Sequence, residues 1–206
     1  MYLHIKRGLD AVVSALCILC LSPVFLVLAL SVKLSSKGPV LFKQERIGKD
    51  KKHFQIWKFR TMRTDTPKDC PTHLLKNPDQ YITRIGAFLR KTSLDELPQF
   101  FNIYAGQMSF VGPRPALYNQ YDLISERDRY NANAVRPGLT GLAQVNGRDE
   151  LPISKKAALD GQYVQSCSLA LDIRIFFMTF FKVLRRDGVV EGAVQEEEKS
   201  KDEVTL

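Results

Sequence analysis

The longest apolar block in the chain covers residues 11–32, 22 positions without a charge. At the helical rise of about 1.5 Å per residue it reaches roughly 33 Å, enough for a hydrocarbon core about 30 Å thick. Ser22-Pro23 interrupts it near the midpoint. Pro23 removes a backbone donor and crowds the carbonyl four residues back, so a bend is expected there, with Ser22 placed to cover part of the lost hydrogen bonding. Two halves of about 11 residues, each roughly 16 Å long, then reach mid-bilayer and return. Bases flank both ends, Lys6 and Arg7 before the block and Lys33, Lys37, Lys43, Arg46, Lys49, Lys51 and Lys52 after it. By the positive-inside rule both ends stay in the cytoplasm. A proline-kinked spanning helix satisfies the same hydropathy, and the residues alone leave the two readings open. A secretory signal fits poorly, because no small-x-small cleavage pattern follows.

Downstream the periodicity shortens. Residues 39–47 and 53–60 carry β-branched and aromatic side chains on either side of Gly48-Lys49-Asp50-Lys51-Lys52, which predicts a β-hairpin with a basic tip. Residues 64–78 are rich in Pro, Thr, Asp and Asn without a period and read as a loop. Tyr81, Ile85, Phe88 and Leu89 fall at helical spacing over residues 81–90, and residues 97–104 offer a second short helix. Residues 106–115 read as a turn-rich connector, 122–133 as a charged, exposed helix, and 136–148 as an extended glycine-containing loop. Residues 172–186 predict a helix apolar over most of its circumference, with Lys182, Arg185 and Arg186 suited to its C-terminal dipole. Core helix and interfacial helix are both open for it.

Charge and cysteine content narrow the setting. The 206 residues hold 30 bases and 22 acids, with 45% apolar residues, which excludes low-complexity disorder and suits one cored domain. Residues 191–206 carry six acids and two bases, so residues 1–190 hold a net +12 and should meet an anionic partner. Cys17, Cys20, Cys70 and Cys167 show no metal-ligand spacing with His4, His53 or His73, and reduced thiols in a cytosolic body are the expectation. No nucleic-acid fold signature accompanies the charge.

Candidate chemistry gathers at Thr92-Ser93-Leu94-Asp95-Glu96-Leu97-Pro98. Ser93 and Glu96 have capping-box spacing, so the acids have an ordinary structural explanation as helix starters. A helix start also attracts phosphate, and one carboxylate there could act as a nucleophile with its neighbour assisting. Arg114 is stiffened between two prolines in Gly112-Pro113-Arg114-Pro115, and Arg136-Pro137-Gly138 repeats the device. With Lys58, Arg60 and Arg90 these bases exceed what the adjacent acids can neutralise.

Six ordered motifs together carry a family resemblance. They are Lys6-Arg7-x-x-Asp10, Ser22-Pro23, Lys58-Phe59-Arg60-Thr61-Met62, Ser93-Leu94-Asp95-Glu96-Leu97-Pro98-Gln99, Met108-Ser109-Phe110-Val111-Gly112-Pro113-Arg114-Pro115, and R-P-G-L-T-G-L-A-Q-V-N-G-R over residues 136–148. Over roughly residues 4–188 the chain resembles the bacterial sugar transferases, monotopic polyprenyl-phosphate phosphoglycosyl transferases, in their small form without extra N-terminal membrane helices. The expected fold is an α+β, helix-rich single domain, for which the resemblance implies an N-terminal re-entrant membrane helix hairpin (1–36) ahead of a cytosolic catalytic domain (37–188) with a short β-hairpin and interfacial amphipathic helices; the acidic tail (189–206), too poor in apolar residues to fold, and the 64–78 loop depart from the family's motifs. The resemblance also implies transfer of a sugar 1-phosphate from a UDP-sugar to undecaprenyl phosphate at the cytoplasmic face of the bacterial inner membrane, as a first membrane step of glycan assembly. Asp95 matches the family's nucleophile and Glu96 its partner. Magnesium is expected beside Asp95. Lys58, Arg60, Arg90, Arg114, Arg136, Thr140, Gly141, Gln144 and Arg148 are the substrate-binding candidates, and Ser22-Pro23 marks membrane re-entry. A basic membrane-surface scaffold and a tethered nucleotidyltransferase are the rival readings; the first leaves the Asp-Glu pair and the Pro-Arg-Pro turn unused.

Overall fold

The computed structural model describes residues 2–66, 80–147 and 151–185. Helix α1 (Tyr2–Cys20) gives way to α2 (Ser22–Ser35) at the expected Ser22-Pro23 break. Pro23 lies in the first turn of α2, where a missing N–H costs least. Ser22 Oγ donates to the Leu19 carbonyl at 2.8 Å, the compensation its position predicts. The bend is 64°, an open angle rather than a full reversal, and the arms are unequal at 19 and 14 residues. No single described helix is long and apolar enough to cross a membrane.

The burial pattern of α1 is inverted relative to a helix of a water-soluble core. Its buried positions are Lys6, Asp10 and Ser14, one turn apart, while Leu3, Ile5, Leu9, Val12, Val13, Leu16 and Leu19 are exposed. The inward polar stripe is fully engaged. Lys6 Nζ and Tyr2 Oη both donate to Asp172 Oδ2, each at 2.5 Å, and Asp10 Oδ1 accepts from the Phe110 amide at 3.3 Å. Arg7 donates to the carbonyls of Ile103 and Tyr104 at 2.9 and 2.8 Å. The first motif of the chain thus ties the N-terminal helix to distant elements.

Strands β1 (Leu41–Ile47) and β2 (His53–Phe59) form the predicted antiparallel hairpin, in register from Leu41↔Phe59 to Ile47↔His53. Helix α3 (Arg84–Thr92) starts later than the periodicity implied, because Thr83 caps it by accepting from the Gly86 amide at 2.9 Å, and Tyr81 lies ahead of it. Helix α4 (Gln99–Tyr104) follows. Phe54 and Ile56 of β2 pack with Phe100, Ile103 and Met108, and Cys17, Ile18, Leu21 and Phe25 close over them from the α1–α2 bend. A second cluster joins Leu28 and Val32 of α2 to Phe59 and Leu89.

Two segments expected as connectors contain paired structure. Strand β3 (Ser109–Val111) runs parallel to β4 (Gly138–Thr140), joined through Ser109↔Gly138 and Val111↔Thr140. Between them α5 (Tyr121–Asp128) is shorter than expected and not simply exposed, since Leu123 and Arg127 face inward. After β4 come α6 (Leu142–Val145), α7 (Ile153–Ser166), absent from the sequence reading, and α8 (Leu169–Arg185). Arg127 pairs with buried Asp160 of α7 at 2.6 Å. Ile175 of α8 is fully buried against Val111, Val145 and Tyr163, while Ile173, Phe176, Phe177, Phe180 and Phe181 are exposed. The helix therefore has one core face and one aromatic face turned outward. The fold is α+β and helix-rich, as expected. Most of the 64–78 loop, Arg148, Arg186 and the acidic tail lie outside the described residues.

Candidate active site

The Asp-Glu pair sits where α3 stops. Ser93 adopts the left-handed conformation at φ 56°, and its amide closes onto the carbonyls of Arg90 and Leu89. This sharp exit turns the chain into a single 3-10 turn, Leu94–Glu96, followed by Pro98 and α4. The capping-box reading of Ser93 and Glu96 is corrected here: Ser93 makes no side-chain cap, and the Glu96 carboxylate faces cations instead. A left-handed Ser93 cannot present its hydroxyl to the next turn as an N-cap in the extended conformation does.

Lys58 on β2 donates to Glu96 Oε1 at 2.7 Å, with 19% and 21% of the two side chains exposed. Arg114 approaches the same oxygen at 3.5 Å. The register that delivers Lys58 is held by Asn102 of α4, which is buried. Its Oδ1 accepts from the Trp57 amide at 3.0 Å, and its Nδ2 donates to the Gln55 carbonyl at 2.7 Å. Asn102 was not among the sequence candidates; its one signal is a lone amide inside the apolar stretch Phe100-Phe101-Asn102-Ile103. Arg90, in the last turn of α3, donates through Nε to Thr61 Oγ1 at 2.9 Å and lies close enough to Asp95 to stabilise its charge.

The two carboxylates are driven apart electrostatically. Burial pushes Asp95 up to about 6, with the Glu96 charge adding to the rise and Lys58 and Arg90 opposing it. Burial also disfavours the Glu96 anion, but Lys58 and Arg114 outweigh it and hold that carboxyl at about 2. Glu96 is thus a permanent anion already committed to two cations. Asp95 is a half-buried carboxylate whose charge Lys58 and Arg90 favour from nearby, a state that suits an attacking group.

Arg114 comes from a turn whose backbone meets β4 at unusual proximity. The Gly112 amide donates to the Thr140 carbonyl and the Gly138 amide to the Pro113 carbonyl, both at 2.8 Å. A Cβ on Gly138 would lie 2.1 Å from the Gly112 nitrogen, and one on Gly141 would lie 2.1 Å from the Gly112 carbonyl oxygen. The Gly-Pro-Arg-Pro and Arg-Pro-Gly motifs are therefore one interlocked unit, although they read as two independent turns.

The remaining candidates divide by where their contacts lie. Arg60 is buried, and its Nη2 donates to the carbonyls of Val32 and Ser36 and to Ser36 Oγ, so it closes the end of α2. Arg136 donates through Nε to the Gly106 carbonyl at 2.8 Å and shares a small cavity with Lys6, Arg7 and Tyr163. Thr140 Oγ1 meets Thr179 Oγ1 of α8 at 2.6 Å. Gln144 donates to the Leu139 carbonyl at 3.1 Å, leaving its buried Oε1 without a partner among the described residues. Lys58, Glu96 and Arg114 converge by direct contact, with Asp95 and Arg90 joined to them electrostatically. The contacts seen for Arg60, Arg136, Thr140, Gly141 and Gln144 lie with other elements of the fold.

Among the described residues no three His, Cys, Asp or Glu side chains gather as a metal cage. Asp95 alone offers too few ligands for a divalent cation, so an Mg²⁺ there would have to take the rest from substrate phosphates and water.

The chain belongs to the bacterial sugar transferase family, whose pattern matches residues 1–186. It is 44% identical over 190 residues to a UDP-glucose:undecaprenyl-phosphate glucose-1-phosphate transferase of Klebsiella pneumoniae, an alignment covering 86% of this chain and 39% of that protein. The same identity holds over 186 residues with the protein of that description in Escherichia coli K12, covering 86% and 40%. With the exopolysaccharide production protein PSS of Rhizobium leguminosarum it shares 42% over 200 residues, covering 90% and 98%. The chain thus spans about two fifths of the first two relatives and nearly all of the third.

Proposed function

We propose that this protein transfers a sugar 1-phosphate from a UDP-sugar to undecaprenyl phosphate, with release of UMP, and that Asp95 carries the phosphosugar between the two. The observation that carries the reading is the convergence of Lys58 and Arg114 on Glu96, which leaves the adjacent half-buried Asp95 carboxylate beside fixed cations. The names of the relatives supply the substrate class, and UDP-glucose is the first donor to try.

In the proposed reaction an Asp95 carboxylate oxygen attacks the phosphorus that bears the sugar. The bond from that phosphorus to the bridging oxygen breaks, and UMP departs with the electron pair. An oxygen of the lipid phosphate then attacks the same phosphorus and restores the carboxylate. One diphosphate bond replaces another, so no further energy source is needed. A carboxylate approaching a diphosphate must overcome like-charge repulsion. Lys58, Arg90 and Arg114 supply fixed positive charge for this, and Mg²⁺, when bound at Asp95, would further neutralise the diphosphate. Removing one such contact is expected to cost roughly 3 kcal/mol, about two decades in rate.

The inverted α1 and the exposed apolar side chains of α2, Val24, Leu26, Val27, Leu30 and Leu34, support a location in the bilayer. With a bend at Ser22-Pro23 and bases at both ends, the pair enters and leaves on the cytoplasmic side, holding Asp95 at the level of the lipid phosphate. A panel of UDP-sugars with undecaprenyl phosphate tests the class. UMP formation with at least one donor is expected, and none with any donor would overturn the reading in favour of a non-catalytic scaffold.

A further inference from the structure

A second basic region lies at the opposite end of α3 from Asp95. An open cavity of about 610 Å³ is bounded by Ser35 and Ser36 at the end of α2 and by Arg63, Thr83, Arg84 and Ile85. Arg60 lies behind Ser36, buried, with its Nε and Nη1 lacking a hydrogen-bond partner among the described residues. Lys33 reaches the Gly38 carbonyl, and the Arg60 guanidinium fills the space a side chain at Gly38 would take. Four bases, Lys33, Arg60, Arg63 and Arg84, thus surround this end of α2, and among the described residues their one acidic partner is Asp65, which holds Arg63. The first amides of α3, a helix of nine residues, add partial positive charge.

The apolar surroundings say what kind of anion fits. Leu34, 85% exposed, and Leu30 continue from the cavity along α2, and Phe88 follows Arg84 by one turn on the exposed face of α3. We propose that the cavity seats the phosphate headgroup of an anionic phospholipid, whose acyl chains lie along Leu30, Leu34 and Phe88 and which fixes the depth of α2 and α3 in the bilayer. The proposal rests on the reading that α1 and α2 are embedded in lipid. It concerns a phosphate other than the reacting ones, because nine helical residues separate the cavity from Asp95 by about 13 Å.

The test uses the full chain in detergent micelles, with native mass spectrometry counting retained phosphatidylglycerol against phosphatidylcholine. The wild type should retain phosphatidylglycerol preferentially. R63Q/R84Q should lower that retention roughly tenfold, while K52Q/K155Q, which removes two exposed charges elsewhere, should leave it unchanged. Equal retention by wild type and R63Q/R84Q, or an equal loss in K52Q/K155Q, overturns the proposal. Inorganic phosphate binding as tightly as phosphatidylglycerol also overturns it, by making the site one for a soluble anion. UMP release by R63Q/R84Q at saturating undecaprenyl phosphate should match wild type; a loss there would assign the cavity to the acceptor instead. Absence of UMP release in the wild type bears on the proposed transferase reading alone, since lipid retention is read without turnover.

Discussion

Asp95 is held near a working pH by opposing neighbours, and each neighbour can be removed separately. With its carboxyl raised to about 6 by burial, the proposed nucleophile loses its charge as the pH falls through that value, so kcat/KM should decline on the acid side. Lys58→Met removes a charge that lowers Asp95, which moves the acid limb to higher pH and lowers the plateau by roughly 10²-fold. Glu96→Gln removes a charge that raises it, which moves the limb to lower pH. Profiles of kcat/KM against pH for the three proteins check the pair of opposite shifts; limbs unmoved in both variants would detach Asp95 from the chemistry. The acids and most of the bases were legible in the sequence because their types and spacing are unusual. Their roles were less so. A capping box and a catalytic pair share the spacing of Ser93 and Glu96, and only the left-handed backbone at Ser93 separates them. Arg60, grouped with Lys58 among the substrate-binding candidates, lies just past the end of β2 at Phe59, and its guanidinium turns to the end of α2 while Lys58 turns to Glu96.

At the scale of elements, the hairpin β1–β2 and the break between α1 and α2 were readable because periodicity and proline act locally. The β3–β4 pair was not, since three-residue strands carry too little pattern and their pairing spans a long stretch of chain. Its trace in the sequence was the glycines, which read as turns but serve close backbone approach. Gly138→Ala places a methyl group against the backbone of Gly112 and Thr140, which cannot yield like a side-chain tip. It should destabilise the protein by about 2–4 kcal/mol. The effect should appear as a lowered Tm in detergent, whereas Gly8→Ala, which meets nothing within 4 Å, should leave Tm unchanged or slightly higher. Equal effects of the two substitutions would contradict the interlocked unit. The inverted α1 could not be anticipated from hydropathy alone, because Lys6 and Asp10 of its polar stripe are explained by partners a hundred or more residues away, Asp172 and Phe110.

Over the whole molecule, the N-terminal helices, the β-hairpin and the α3–α4 turn enclose one site, and β3–β4 with α7 and α8 supply a rigid backing. The exposed aromatic face of α8 and the exposed apolar faces of α1 and α2 give the molecule three lipid-compatible surfaces around a charged centre. That arrangement suits the proposed transfer between a soluble and an anchored substrate, whose core demand is that the reacting phosphosugar rest for a time on the protein. Intact-mass spectrometry of the purified chain after incubation with a productive UDP-sugar alone tests this. The account predicts a mass increase of one sugar phosphate, UMP in equal amount, and loss of both in Asp95→Asn while that variant remains folded. UMP appearing only when undecaprenyl phosphate is also present, with no modified protein detectable, or an adduct persisting in Asp95→Asn, would contradict it.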